Sequence, residues 1–253
     1  MIIQIYEIQN PEEASALIRL GVDHIGSVLL SVDGWKNSDV KATIEMASAG
    51  GAVSSLIPLF GDPARVLQAL EYYRPDIVHF CDVLSGPAVN QRYLEKRIQL
   101  QQQVRRVFPT VRIMRSIPVG QPGNASSCPT LALARTFESV SDLFLTDTLI
   151  TAGSGPGDQP VAGFIGITGQ ICDWQMARQL VRASRIPVVL AGGIGPQNVF
   201  DAIETVKPYG VDSCTGTNLR DGRDRPIRFR KDMHRVAMMV TETRRACRKS
   251  AQM

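Results

Sequence analysis

Two short turns, Gly192–Gly193 and Thr215–Gly216, carry the plainest chemical signal in this chain. Adjacent glycines let a backbone approach a ligand closely, and their free N–H groups suit an anion. Each turn follows a short apolar run, Pro187–Leu190 and Tyr209–Val211. Between them Pro196–Val206 puts Val199, Ala202, Ile203 and Val206 on one helical face. A strand–helix–strand crossover returns its second strand parallel to the first. Both turns therefore reach the same edge of a sheet, and in an eight-fold barrel the loops after strands seven and eight are the usual phosphate site. The competing structural reading is that these glycines only join strand to helix.

Other reactive side chains stand near strand ends. Cys81 and Asp82 follow the run Asp76–Phe80 and offer a proton acceptor, although Cys81 also reads as a buried structural thiol. His79, Cys81 and Asp82 resemble a ligand set, yet alternation along a strand lets only two of them converge, and His24 and His234 are distant in sequence. No metal and no other cofactor is expected. No lysine ends an expected strand, which argues against Schiff-base chemistry. Trp35 and Trp174 read as packing residues.

The elements that would position these groups alternate along the chain. Expected strands are Ile2–Tyr6, His24–Leu30, Ala52–Leu59, Asp76–Phe80, Thr110–Ile117, Asp142–Thr146, Pro187–Leu190 and Tyr209–Val211. Expected helices are Glu12–Leu20, Ser38–Ala49, Asp62–Tyr73, Ala88–Val107, Thr130–Ser139, Asp173–Ala183, Pro196–Val206 and Ile227–Arg248. Asn10 with Pro11, and Asp62 with Pro63, are cap and first-turn signals. The loops Ser31–Asn37, Pro118–Pro129 and Ile150–Gly163 are longer than the rest. Eight strand–helix units in 253 residues predict one α/β domain over 1–253, a single (β/α)8 TIM barrel. An open doubly wound sheet is the alternative, but no GxGxxG follows the first strand.

Composition narrows the partners. With 44% apolar and 21% charged residues the chain can bury a sizeable core. The net charge of +4 comes largely from arginines and lysines after Arg220, which read as a solvated final helix, with no recognised nucleic-acid motif. Five cysteines without a CxxC pair suit reduced thiols in the cytoplasm. Neither a signal peptide nor a membrane-spanning run is expected. The expected partner is a phosphorylated small molecule, with no nucleic acid and no membrane. Oligomeric state is not legible.

Several segments together resemble one family. The runs LAGGIGPQNVFDAI and YGVDSCTGTN, the pair Asp147–Thr148 and GITGQICDW at Gly166–Trp174 look like phosphoribosylanthranilate isomerase of tryptophan biosynthesis. The opening QIYEIQNPEEASALIRLGVDHIG is similar to that family's first strand, helix and second strand. The resemblance implies an intramolecular oxidoreductase of the aldose–ketose type. It implies that Gly192, Gly193, Thr215 and Gly216 contact a phosphate, and that Asp173 and the turn of Gly166, Thr168 and Gly169 lie beside the ribose-derived part. Asp147 would be the general acid that protonates the furanose ring oxygen in an Amadori-type opening, which also needs a second group to take the proton from C2. Read without the family, Asp147 is a helix cap or loop turn.

This chain departs from the family pattern at the second group. Where the family has a cysteine base at the end of strand one, Tyr6 stands, and a tyrosine with a pKa of about 10 is mostly protonated near neutral pH. The second loop, SVDGWKN, lacks the family's arginine, and His79, Phe80, Cys81 and Asp82 stand where the family has QLHG. Related barrel isomerases of histidine biosynthesis use two carboxylates, which makes Glu7 with Asp147 an expected pair. Glu7 reads equally as a solvated strand-end charge. The resemblance thus implies an isomerase of a phosphorylated sugar derivative with an altered base. The alternatives are a non-catalytic phosphometabolite binder, and a phosphosugar epimerase or lyase.

Overall fold

Parallel strands form where the apolar runs predict them: β1 (Ile2–Ile5), β2 (His24–Leu29), β3 (Val53–Pro58), β4 (Ile77–Phe80), β5 (Arg112–Gly120), β6 (Leu143–Leu149), β7 (Val188–Leu190) and β8 (Gly210–Ser213). These coordinates come from a computed structural model, which describes residues 1–86, 89–124, 128–150 and 162–250. The strands pair in sequence order, and β1 pairs in parallel with both β2 (Gln4 beside His24) and β8 (Gln4 beside Asp212). That last pairing closes the sheet. The fold is a (β/α)8 TIM barrel.

Between the strands run α1 (Pro11–Arg19), α2 (Ser38–Ala49), α3 (Pro63–Tyr73), α4 (Gln91–Val107), α5 (Thr130–Phe137), α6 (Trp174–Ala183) and α7 (Val199–Val206), and α8 (Met233–Ser250) ends the series. Asn10 and Asp62 cap α1 and α3 through side-chain oxygens, each followed by proline in the first turn. Asn37 caps α2, its Oδ1 accepting from the Asp39 and Val40 N–H groups. Helices bury one face on the barrel: Val66, Ala69, Leu70 and Tyr73 of α3 pack with Leu56, Val78 and Ile113, and Val199, Ala202 and Ile203 of α7 with Ile3, Leu190 and Val211.

Two expectations are corrected. The segment from Ile227, expected as the start of the last helix, is strand. Asn218–Arg220 (β9) and Pro226–Lys231 (β10) form an antiparallel hairpin, and the helix begins only at Met233. Asp221 closes the hairpin by accepting from the Arg223 and Arg225 N–H groups, and Asp232 accepts from His234 and Arg235, so the helix has its cap there. Strand β5 also runs on into the expected loop as far as Gly120, and β6 continues past its expected end to Leu149, which places Asp147 inside it. Of the two long loops expected beyond them, residues 125–127 and 151–161 lie outside the described residues, as does Ala88 at the expected start of the fourth helix. Among the described residues, no helix is long and apolar enough to cross a membrane, and no His/Cys/Asp/Glu cluster could hold a metal.

Candidate active site

A cavity opens at the carboxyl ends of the strands. Its walls include Tyr6 and Glu7 after β1, His79 from β4 and Cys81 just after it, Asp147 from β6, the turn Gly166–Gly169, Gly192 and Gly193 after β7, Asp212 from β8, and Cys214, Thr215 and Gly216 after it. The glycine turns meet there because their backbones touch. A Cβ on Gly193, whose φ is 65°, would come within 2.6 Å of the Gln170–Ile171 backbone, and one on Gly216 would collide with the Ile194 carbonyl oxygen. The Ser213 hydroxyl donates to the Ile194 carbonyl at 2.7 Å, and Arg235 Nε to the Gly216 carbonyl at 2.9 Å. Among the described residues, no hydrogen bond takes the N–H of Gly193, Thr215 or Gly216. Unpaired amides along a cavity wall suit an anion.

Asp147 points into the same cavity. The Thr148 N–H donates to its Oδ1 at 2.9 Å, and a Cβ on Gly166 would strike its Oδ2, so the glycine at φ 112° leaves room for the carboxyl. Burial lifts its pKa from the usual carboxylate range to about 7, against the lowering effect of that hydrogen bond. A carboxyl that keeps its proton near neutrality can act as an acid there.

Tyr6 fills the floor. Its hydroxyl lies 2.8 Å from His79 Nδ1 and also bonds Ser55, while His79 Nε2 lies 2.8 Å from the Ser116 hydroxyl. Burial drives the Tyr6 pKa well above its ordinary value, and burial, then the charge of Arg115, pushes His79 down to about 3. The phenol is therefore protonated and the imidazole neutral at pH 7. A Cβ on Gly26 would overlap the Tyr6 ring. Gly26→Ala is accordingly expected to lower stability by about 1–3 kcal/mol, as overpacking does, and the urea midpoint checks it. In a Tyr6→Ala background, itself less stable for the lost packing, Gly26→Ala should cost less, because the ring that its Cβ strikes is gone.

The remaining sequence-predicted residues divide. Thr168 and Gly169 stand on the cavity wall beside Thr215. Cys81 lines the cavity as well, but burial, with the charges of Asp82 and Asp147, raises its thiol well above the ordinary value. Asp82, expected as a substrate contact, turns the other way: it is ion-paired with Arg115 at 2.7 Å and Arg97 at 3.2 Å and does not line the cavity. Asp173 is likewise placed elsewhere. Its Oδ1 accepts from the Gln175 and Met176 N–H groups, 2.9 Å each, as the cap of α6. Glu7 reaches the cavity wall, but Arg228 Nε of β10 donates to its carboxylate at 2.7 Å, so the expected pairing with Asp147 gives way to an ion pair with the hairpin. The lysine missing from predicted strand ends also exists: Lys231 ends β10, its Nζ donating to the Cys214 carbonyl at 3.0 Å.

Asp212 was passed over by sequence reasoning. It sits in the run YGVDSCTGTN, inward-facing on β8, and the available signal is its place three residues before the Thr215–Gly216 turn.

The family model for N-(5'phosphoribosyl)anthranilate (PRA) isomerase matches residues 99–223, which include Asp147 and both glycine turns. The N-(5'-phosphoribosyl)anthranilate isomerase of Methanocella arvoryzae is 29% identical, covering 96% of this chain and 97% of its own length. Along nearly its whole length the chain is similar to phosphoribosylanthranilate isomerases. A second relative, isomerase 1 of Methanosarcina mazei, is 25% identical over 88% of this chain and 89% of its own length. Solved phosphoribosylanthranilate isomerases share the fold. One, in complex with reduced 1-(o-carboxyphenylamino)-1-deoxyribulose 5-phosphate, superposes with a TM-score of 0.66 at 17% identity, covering 96% of this chain and 99% of that one. The Thermotoga maritima structure gives 0.64 at 18% identity, with the same coverage.

Proposed function

We propose that this chain is a phosphoribosylanthranilate isomerase-like enzyme: an aldose–ketose isomerase that opens and rearranges a phosphorylated sugar amine, as in tryptophan biosynthesis. The observation that carries the reading is a single one. A carboxyl that burial holds at about 7, Asp147, shares a cavity with the unpaired amides of Gly193, Thr215 and Gly216. The amides, with Gly192 beside them, take the substrate phosphate, and Thr168 and Gly169 border the sugar. Asp147 gives its proton to the ring oxygen as the C1–O bond breaks, because a departing alkoxide without a proton is a poor leaving group.

Residues 1–253 act as one domain in this reading, with the hairpin and α8 belonging to the barrel. The five free cysteines suit a reducing compartment, in keeping with a cytoplasmic enzyme. Tyr6, Cys81 and Glu7 shape the pocket rather than move protons, since the first is a protonated phenol, the second a protonated thiol and the third is ion-paired.

The test is turnover of N-(5'-phosphoribosyl)anthranilate by the purified protein, followed by chromatography of the ketose product, and rescue of a tryptophan auxotroph lacking the isomerase. Wild type is expected to do both. A protein that binds the phosphorylated substrate but neither turns it over nor rescues growth is a phosphometabolite binder, and the enzymatic reading falls. Gly193→Ala should raise KM tenfold or more, a loss of about 1.4 kcal/mol of binding, because its Cβ forces the Gln170–Ile171 backbone away from the anion site. Inorganic phosphate, competing with substrate, should lose affinity in parallel.

A further inference from the structure

Asp212 is a second buried carboxyl in the cavity wall, across from Asp147. Leu145, Val189 and Gly210 stand in one row across β6, β7 and β8. Asp147 and Asp212 each lie two residues further along their strands, so both point inward with the small Ala191 between them. Asp212 is also oriented from below. Gln4 Nε2 donates to its Oδ1 at 3.1 Å, and Gln4 Oε1 lies 3.1 Å from His24 Nδ1. An amide oxygen only accepts, so His24 carries its proton on Nδ1 and the chain His24–Gln4–Asp212 has one direction, ending on a carboxylate. Among the described residues no hydrogen bond reaches Oδ2, and that atom is not among the enclosed polar atoms without a partner. It is open to the cavity.

We propose, resting on the isomerase reading, that Asp212 is the general base of this site: one carboxylate oxygen is fixed by Gln4 and the other takes the proton from substrate C2. The protons and electrons balance. Asp147 protonates the ring oxygen as the C1–O bond breaks and the nitrogen lone pair forms the C1=N bond. Asp212 then takes the C2 proton, the C–H pair becomes the C1=C2 bond, and the C1=N pair returns to nitrogen. The resulting enol becomes the ketone by losing its hydroxyl proton and gaining one at C1. One proton has crossed from Asp147 to Asp212 through the substrate, and solvent exchange resets the pair.

The division of roles follows from the neighbours. Burial raises Asp212 to about 7 as it does Asp147, and the Asp147 charge adds to that; the Gln4 amide and the Lys231 ammonium favour its ionised form. Asp147 is helped only by the Thr148 N–H. When the pair holds one proton, it therefore rests on Asp147. The other candidates are occupied or protonated: Tyr6 is tied to Ser55 and His79, Glu7 to Arg228, and burial raises the Cys214 thiol.

The experiment compares kcat for Asp212→Asn, Asp212→Glu and Tyr6→Phe with wild type on N-(5'-phosphoribosyl)anthranilate, with binding of the reduced product analogue measured by calorimetry. Asp212→Asn should lose at least 10²-fold in kcat, the usual weight of a general base, while still binding the analogue. Asp212→Glu should recover part of the loss, and Tyr6→Phe should cost less than tenfold. An Asp212→Asn enzyme within tenfold of wild type overturns the proposal, as does a Tyr6→Phe loss larger than that of Asp212→Asn. Should Asp212→Asn fail to fold, Asp212→Glu decides: lowered kcat with unchanged analogue affinity supports the role, and an undiminished kcat removes it. A wild type that binds the analogue without turnover instead brings down the isomerase reading, and this assignment with it.

Discussion

Asp147→Asn is expected to lower kcat by roughly 10²–10⁴-fold with little change in analogue binding, because an amide accepts and donates hydrogen bonds but cannot deliver a proton to the ring oxygen. The pH profile makes the expectation sharper. Wild type works when Asp147 is protonated and Asp212 ionised, and both groups lie at about 7. Their mutual repulsion separates the two steps of the pair, so kcat should trace a narrow bell centred near neutrality whose limbs belong to the pair. Losing the acid removes the alkaline limb: residual activity of Asp147→Asn should rise with pH through about 7 and then stay level. An unchanged bell in that variant would mean that Asp147 does not donate the proton.

What could be read from sequence alone follows the reach of the interactions. The barrel was legible because each strand–helix unit carries local signals, such as Asn10 with Pro11 and Asp62 with Pro63. The glycine turns were legible because their backbone demands are local too. Glu7 was not, since its partner Arg228 comes from the far end of the chain, in a segment whose basic residues imitate a solvated helix. The fate of Asp82 turned on Arg115 and Arg97, from two other elements, and no spacing signals that contact. Asp173 is a different case: Asp followed by an amphipathic run is a cap signal, and the family resemblance outweighed it. Asp212 went unread because a carboxyl inside a barrel strand looks like any strand residue until the strand's inward face and the Gln4–His24 support are known.

The same two carboxyls should set how stability varies with pH. Both have folded pKa values raised from 3.8 to about 7, mainly by burial. The folded state then holds protons that the unfolded chain releases, so their contribution is fully present below about pH 4 and is lost as pH rises through about 7. At pH 8 each buried charge destabilises by an amount on the order of 4 kcal/mol taken alone. His79 and His24 act in the opposite direction: burial depresses them to about 3 and about 4, the unfolded chain binds their protons first, and stability is lost as pH falls from about 6.5. Wild type should therefore show a flat or falling urea midpoint between pH 5 and 8. The double variant Asp147→Asn/Asp212→Asn, retaining only the histidine effect, should show a rising one and exceed wild type in stability at pH 8 while being inactive. That trade of stability for reactivity is what two ionisable groups in an apolar cavity impose. A double variant less stable than wild type at pH 8, with the same slope against pH, would mean that neither carboxyl is held protonated by burial, and the acid assigned to residue 147 would lose its physical basis.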